Sequence, residues 1–300
     1  MTDRRDEMGW VVLVHGGAGQ WSTQDETQAL SGVRAAVDRA VQVLARGASA
    51  LDAAVSAVVA LEDHPMFNAG TGCVLNRDGE AEMDASVMSG ETLRCGGVAA
   101  IRRVRNPVRV AQAVMEKTPH VLLAGEGAQR FAREQGFEDY DPVTPRARER
   151  WRDRKAANAP PGTVGAVVLD TAGRLAAATS TGGVALKLPG RVGDSPIPGA
   201  GNYADAFAAC SATGHGELMM RMLATKALCD RVAGGHSPQD AVDRQLAEMA
   251  RAVGSECGFI LVARDGRIGV GHGTASMPHA WRDEADQETQ ARMRVQRRSA

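Results

Sequence analysis

Charge of one sign is what this 300-residue sequence most plainly lacks: 35 Lys and Arg stand against 36 Asp and Glu, a net charge of −1. A protein that coats DNA or RNA needs a basic excess to neutralise phosphates, so nucleic acid is excluded as a partner. No apolar run approaches the roughly 18–20 residues that span a bilayer, so no membrane partner is expected. The opening Met1-Thr-Asp-Arg-Arg-Asp-Glu7 is charged and has no apolar stretch, and no signal peptide is expected. Cysteine is sparse and odd in number, with Cys73, Cys95, Cys210, Cys229 and Cys257 scattered and never in a CxxC pair. That pattern reads as reduced thiols in a cytoplasmic protein, against disulfides or zinc. Aromatic residues make up only 4%, whereas there are 34 glycines, many of them beside Thr, Asn and Asp. Such clusters suggest a site built from main chain, because glycine lets backbone approach a ligand and take positive φ. The 44% apolar and 24% charged content is that of a globular chain, long enough for one large domain or two ordinary ones.

The chain opens with a strand, Trp10 to Val14, broken by His15-Gly-Gly-Ala-Gly19. Apolar residues at spacings of three and four predict a helix from Glu26 to Arg46, closed by Gly47. Ser49-Ala-Leu-Asp52 begins a second, Ala/Val-rich helix as a capping box, running to Leu61. Strands follow at Cys73–Leu75, Glu82–Met88 and Gly97–Arg103, then helices at Val108–Lys117 and Leu122–Gln135. Residues 137–162, rich in Pro and Arg, have the composition of an exposed linker. Val164–Asp170 and Leu175–Ser180 form a strand pair, and a glycine-rich stretch runs from Gly182 to Gly216. Helices at Glu217–Ala233 and Pro238–Val253 precede a last hairpin, Phe259–Ala263 with Ile268–Gly271, and a polar, mobile tail after Trp281. Strands in hairpins argue for antiparallel or mixed sheets covered by helices. The linker near the middle allows two domains or one fold made from two halves.

Several kinds of chemistry have no motif. There is no GxxxxGK[ST], and Gly199-Ala-Gly-Asn-Tyr-Ala204 fits GxGxxA but precedes no clear crossover unit. No HExxH or Cys/His ligand spacing is present, and there is no GxSxG elbow, although a spatial Ser-His-Asp triad leaves no fixed spacing. Thr163 stands between linker and strand, directly after Gly162. A Thr hydroxyl needs a base beside it, and a chain cut before Thr163 supplies one, since a free α-amino group titrates at about 7.7–8.0. The small Gly162 leaves its carbonyl uncrowded. Taken alone, Thr163 could equally be a β-favouring residue at a strand start. Ala212-Thr213-Gly-His-Gly216 opens a helix and can offer main-chain N–H groups to an oxyanion. Arg191 and Asp194 could bind a carboxylate and an ammonium, or simply pair with each other.

Taken in order, several blocks resemble the plant-type asparaginase and isoaspartyl aminopeptidase family of N-terminal-nucleophile hydrolases. They are His15-Gly-Gly-Ala-Gly19, Phe67-Asn-Ala-Gly-Thr-Gly72, Glu82-Met-Asp-Ala-Ser-Val-Met88, Thr118-Pro-His120, Gly162-Thr-Val-Gly165, Ser180-Thr-Gly-Gly183, Leu188-Pro-Gly-Arg-Val-Gly-Asp-Ser-Pro196 and Thr213-Gly-His-Gly-Glu217. The resemblance runs from about Val11 to Trp281 and implies an α+β fold, a four-layer αββα sandwich. It implies self-cleavage between Gly162 and Thr163 into an α subunit of residues 1–162 and a β subunit of residues 163–300, together one domain. It gives Thr163 the role of nucleophile and Thr181 that of the threonine tuning it. Thr213 and Gly214 fall at the oxyanion hole, and Asn68 matches an asparagine that polarises a carbonyl. Arg191 and Asp194 match the clamp on the substrate's α-carboxylate and α-amine, with the Gly216 carbonyl beside them.

The resemblance further implies a structural sodium ion held by main-chain oxygens of Leu61, Glu62, His64, Phe67, Ala69 and Thr71, no organic cofactor, and a homodimer of αβ units. The substrates implied are small molecules, L-asparagine and β-aspartyl dipeptides; glycosylasparaginase activity and an unprocessed, non-catalytic role are the alternatives. His215, Asn202 and the stretch Gly271–Met277 depart from the family pattern and bear on the leaving group. Gly162, where glycosylasparaginases have Asp, and Ser-Thr-Gly-Gly, where they have Ser-Thr-Asn-Gly, favour the asparaginase branch.

Overall fold

Strand β1 (Val11–His15) is buried on both faces, and its side chains part by alternation. Val12 and Val14 pack with one group of helices, while Val11 and Leu13 face a second sheet. The same division orders the whole molecule. The computed structural model describes residues 9–153, 162–253 and 257–295. After β1 come α1 (Thr23–Leu44), α2 (Ala50–Glu62), β2 (Met83–Ser89), β3 (Cys95–Ile101), α3 (Pro107–Lys117), β4 (Leu122–Ala124), α4 (Gly125–Glu134) and α5 (Pro145–Arg152). The second half holds β5 (Val164–Leu169), β6 (Leu175–Thr181), β7 (Asn202–Ala204), β8 (Ala208–Gly214), α6 (Gly216–Met222), α7 (Ala224–Ala233), α8 (Pro238–Val253), β9 (Cys257–Ala263), β10 (Ile268–His272), β11 (His279–Asp283) and β12 (Gln290–Arg292).

The strands form an eight-stranded sheet, β12-β11-β1-β5-β6-β2-β3-β4, and a four-stranded one, β10-β9-β8-β7. Three cores separate the layers. Val164, Ala166, Ala176 and Ala178 pack with α1, α2 and α3. Val167, Leu169 and Ala177 meet Ala209, Ile260 and Val262 between the sheets. Cys210, Phe259 and Leu261 on the far side of the smaller sheet meet Leu228, Val242 and Met249 of α7 and α8. The result is helix, sheet, sheet, helix: the four-layer αββα sandwich of an α+β fold. Residues before and after position 162 interleave in the larger sheet, where β1 pairs with β5 and with β11.

The capping box predicted at Ser49 and Asp52 forms. Other expectations need correction. Cys73–Leu75 is not a strand; its amides serve the loop, with Cys73 N–H on Gly70 O and Val74 N–H on Asn68 Oδ1. The helix expected from Leu122 opens as β4, which adds parallel to β3. The linker expected over 137–162 contains α5, capped by Thr144 with Pro145 in its first turn, and Trp151 seats it against the core. Residues 154–161 lie outside the described residues. The glycine-rich stretch holds two strands, β7 and β8. The helix expected over Glu217–Ala233 breaks at Leu223, which takes φ +46°. Beyond Trp281 the stretch expected to be mobile adds β12 to the edge of the larger sheet.

Candidate active site

Four strand ends converge. In the β5–β6 register Val164 faces Ser180, which brings Thr163 beside Thr181. His15 at the end of β1 faces Gly165. From the opposite sheet, β8 delivers Thr213. The Thr163 N–H donates to Thr213 Oγ1 at 3.3 Å, and the Ala18 N–H donates to the same oxygen at 3.1 Å. Thr181 Oγ1 reaches the Gly162 carbonyl oxygen at 3.5 Å and accepts the Gly183 N–H at 2.9 Å. The bond between Gly162 and Thr163 therefore lies between two threonine hydroxyls, one toward its carbonyl and one toward its nitrogen. Thr163 itself is buried.

Gly162 is required by this geometry. Its φ is +51°, and a Cβ there would stand 2.3 Å from Thr213 Oγ1. A side chain would be strained by conformation and would displace the hydroxyl that holds the Thr163 nitrogen.

Beneath Thr163 lies a polar chain that the sequence did not reveal. His15 Nε2 is 2.9 Å from Ser211 Oγ, which is 2.8 Å from Thr179 Oγ1. Gly165 leaves room for it, since a Cβ there would meet Ser211 Oγ at 2.0 Å. Burial holds the His15 imidazole down at about 3, so it stays neutral and is too weak a base to activate Thr163. The sequence signal was the polar run Thr179-Ser180-Thr181 and the pair Ser211 and Thr213 towards the ends of strands otherwise made mostly of small residues.

Arg191 and Asp194 lie together in the loop between β6 and β7, but they are not each other's salt-bridge partner. Arg191 Nη2 pairs with Glu217 Oε1 at 2.9 Å. Glu217, in the first turn of α6, was the last residue of the Thr213–Glu217 block and carried no assigned role. Asp194 is buried, and its Oδ2 has no hydrogen-bond partner. Burial pushes its carboxyl up to about 7, against the pull of Arg191. Gly216 closes the group: a Cβ there would meet Asp194 Oδ1 at 2.8 Å and Arg191 Nη2 at 2.9 Å. A buried carboxylate oxygen without a donor, beside a guanidinium, suits a ligand that brings both an ammonium and a carboxylate.

Asn68 does not face the Gly162 carbonyl through its hydrogen bonds. Its Nδ2 donates to Gly183 O at 2.8 Å and its Oδ1 accepts from Val74. It braces the turn that presents Thr181. Gly214 ends β8 at φ +137°. After α2 the loop returns so that the Thr71 N–H donates to Glu62 O at 2.8 Å, while the His64 and Phe67 N–H groups take Leu61 O and His64 O, each at 3.2 Å. The Glu62 carboxyl accepts the Val108 N–H at 3.0 Å. Three of the six main-chain oxygens expected to hold sodium, those of Leu61, Glu62 and His64, thus accept an N–H within the loop. Among the described residues no group of three His, Cys, Asp or Glu side chains could hold a metal ion.

A threonine at the head of a central strand in a four-layer sandwich is the layout of an N-terminal-nucleophile hydrolase. The asparaginase family model matches residues 8–291. The chain is 44% identical to the isoaspartyl peptidase/L-asparaginase of Danio rerio over 268 residues, 85% of this chain and 86% of that one. It is 42% identical to the plant-type L-asparaginase of Thermococcus kodakarensis over 304 residues, covering 94% and 99%. It is 43% identical to the isoaspartyl peptidase of Escherichia coli over 305 residues, covering 93% and 94%. The chain belongs to the asparaginase family.

Proposed function

We propose that this enzyme cuts its own chain before Thr163 and then hydrolyses the side-chain amide of L-asparagine and of isoaspartyl dipeptides, releasing L-aspartate. The relatives support the reaction, and one observation carries the mechanism: the Gly162–Thr163 bond lies between the hydroxyls of Thr181 and Thr213. In the first act the Thr163 hydroxyl attacks the Gly162 carbonyl, the C–N bond gives way to an ester, and water hydrolyses the ester. The freed α-amine titrates at about 7.7–8.0 and is the base the site otherwise lacks.

In turnover the amine takes the Thr163 hydroxyl proton as the oxygen attacks the substrate's β-carbonyl. Thr213 and the Gly214 main chain face the oxyanion. The proton passes to the leaving ammonia or amine, leaving a β-aspartyl ester on Thr163, which water cleaves through the same amine. Arg191 takes the α-carboxylate, displacing the exposed Glu217, and Asp194 takes the α-ammonium with help from the Gly216 carbonyl. Main-chain oxygens of the loop from Leu61 to Thr71 would hold sodium as a structural ion, which would steady the loop.

The enzyme works as a homodimer of αβ units on small molecules in the cytoplasm. All five cysteines are free, and among the described residues no helix is long and apolar enough to cross a membrane. N-terminal sequencing of the smaller fragment of the aged protein tests the reading: Thr-Val-Gly-Ala-Val is expected. Full activity from an uncut chain would sink it.

A further inference from the structure

The strand β2 is buried along nearly its whole length, yet polar residues recur on it at every second position: Glu82 just before it, then Asp84 and Ser86. A period of two puts them on one face. The other face, Met83, Ala85 and Val87, packs under the helices. Each polar residue holds one point of the loop that carries the clamp. The Gly190 N–H donates to Glu82 Oε2 at 3.0 Å, and the Gly193 N–H donates to Asp84 Oδ2 at 3.0 Å. Ser86 Oγ donates to the Ser195 carbonyl at 2.6 Å. Arg191 and Asp194 lie between these anchors, one in each interval.

Asp84 is the centre of this ladder. It is fully buried, and it attracts the buried Lys187 ammonium without the direct contact between side chains that a salt bridge would need. Its second oxygen accepts the Ala100 N–H at 2.8 Å, from a residue at φ +47° where the β2–β3 register shifts. A buried carboxylate is costly to keep, and one spent on two main-chain N–H groups fixes their relative position. Gly193 is also the residue over which the clamp folds, for Arg191 Nη1 lies 2.9 Å from where its Cβ would be. At the third rung, Asn202 Nδ2 donates to Ser86 Oγ at 3.0 Å, which leaves the Ser86 proton for Ser195. Asn202, one of the departures from the family pattern, thus directs the ladder's last bond. Asp84 stands opposite Thr181 in the β2–β6 register, but none of the hydrogen bonds made by these side chains reaches Thr163, Thr181 or Thr213.

We propose that Asp84, flanked by Glu82 and Ser86, is a positioning residue for substrate recognition: it sets the spacing and direction of Arg191 and Asp194, and it is dispensable for cutting the Gly162–Thr163 bond. This rests on the clamp reading above. The test compares wild type, Asp84→Asn and Ser86→Ala by self-cleavage, by kcat and KM on asparagine, and by selectivity for asparagine over succinamic acid, which lacks the α-amine. In Asp84→Asn an N–H donor meets a main-chain donor, so KM should rise about 10- to 100-fold while kcat stays within about threefold. The asparagine-to-succinamate ratio of kcat/KM should fall by about tenfold or more, because a misplaced clamp no longer rewards the α-amine. Self-cleavage should stay within about twofold, since the scissile bond carries no free zwitterion. Ser86→Ala keeps Asp84 and should move KM and the ratio the same way, by about three- to tenfold.

Unchanged KM and selectivity in Asp84→Asn would overturn the proposal. So would a joint loss of kcat, self-cleavage and melting temperature with the selectivity ratio intact, the mark of a merely structural strand. If Asp84→Asn does not fold, Ser86→Ala decides, and wild-type selectivity there overturns it. A wild type that cuts itself but ignores every β-aspartyl substrate would refute the functional reading separately, before any variant is compared.

Discussion

Thr163, Thr181 and Thr213 stand at the ends of strands, where two sheets and their main-chain ladders hold them, and their hydrogen bonds run to uncharged groups. Arg191 and Asp194 ride on a loop without regular structure between β6 and β7, held by side chains from β2 and paired across to α6. In the proposed reaction Thr163 needs its neighbours fixed to a fraction of an ångström, and strand register supplies that. The clamp needs charge in a desolvated place, and a loop anchored at several points can hold the buried Asp194 beside the largely covered Arg191. The two halves should therefore fail differently when disturbed.

The largest separation is expected at Thr163. Thr163→Ala removes the attacking hydroxyl from both acts, so the chain should stay whole and hydrolysis should fall on the order of 10⁴-fold or more. Intact mass and ammonia release from one preparation check this. The clamp should fail in substrate use alone. Losing a charge-assisted partner in a desolvated pocket costs ~2–5 kcal/mol, so Arg191→Ala and Asp194→Ala should each lose roughly 30- to several-thousand-fold in kcat/KM. Both variants should still cut themselves, and N-acetyl-asparagine should be poor for wild type and variants alike. Equal wild-type rates on acetylated and free asparagine would erase the distinction between the halves.

Gly162→Ala disturbs only the first act. A methyl at that position collides with Thr213 Oγ1, so self-cleavage should slow by about 10- to 100-fold. The fraction that has been cut should turn over normally, as active-site titration would show. The smallest effect is one of pH. With its carboxyl raised to about 7 by burial, Asp194 carries a proton below that pH and cannot pair with an ammonium. Protonation of the Thr163 amine lowers kcat and kcat/KM alike below about 7.7–8.0, and Asp194 should add to kcat/KM alone a further fall of about tenfold per pH unit below 7. The sign for stability is the opposite. The folded protein holds this proton more tightly than the unfolded chain, so the contribution is full below the ordinary Asp pKa and is lost as pH rises through about 7.

Much of the nucleophile half was legible in the sequence, because its determinants are local. Gly162-Thr163 precedes a strand and the hairpin at Thr171-Ala-Gly173 pairs β5 with β6, whereas the role of Thr181 was marked only by the family resemblance. The His15–Ser211–Thr179 chain was not, since it joins residues 196 positions apart across two sheets. The clamp loop showed its charged residues but not what holds them: Asp84 and Ser86 are a period-two polar pattern whose partners lie more than a hundred positions away. Strands β7 and β8 were hidden inside a glycine-rich stretch because Ala, Cys, Ser and Gly carry little β signal of their own. The helix α5 was masked by its charge, although Thr144-Pro145 marked its start.

The most direct measurement is the intact mass of the purified wild-type protein as it ages at neutral pH, with asparagine hydrolysis followed in parallel. Conversion to two fragments, 1–162 and 163–300, should proceed in step with the rise of activity. A chain that remains whole while it hydrolyses asparagine at full rate would contradict the assignment of Thr163 and its freed amine.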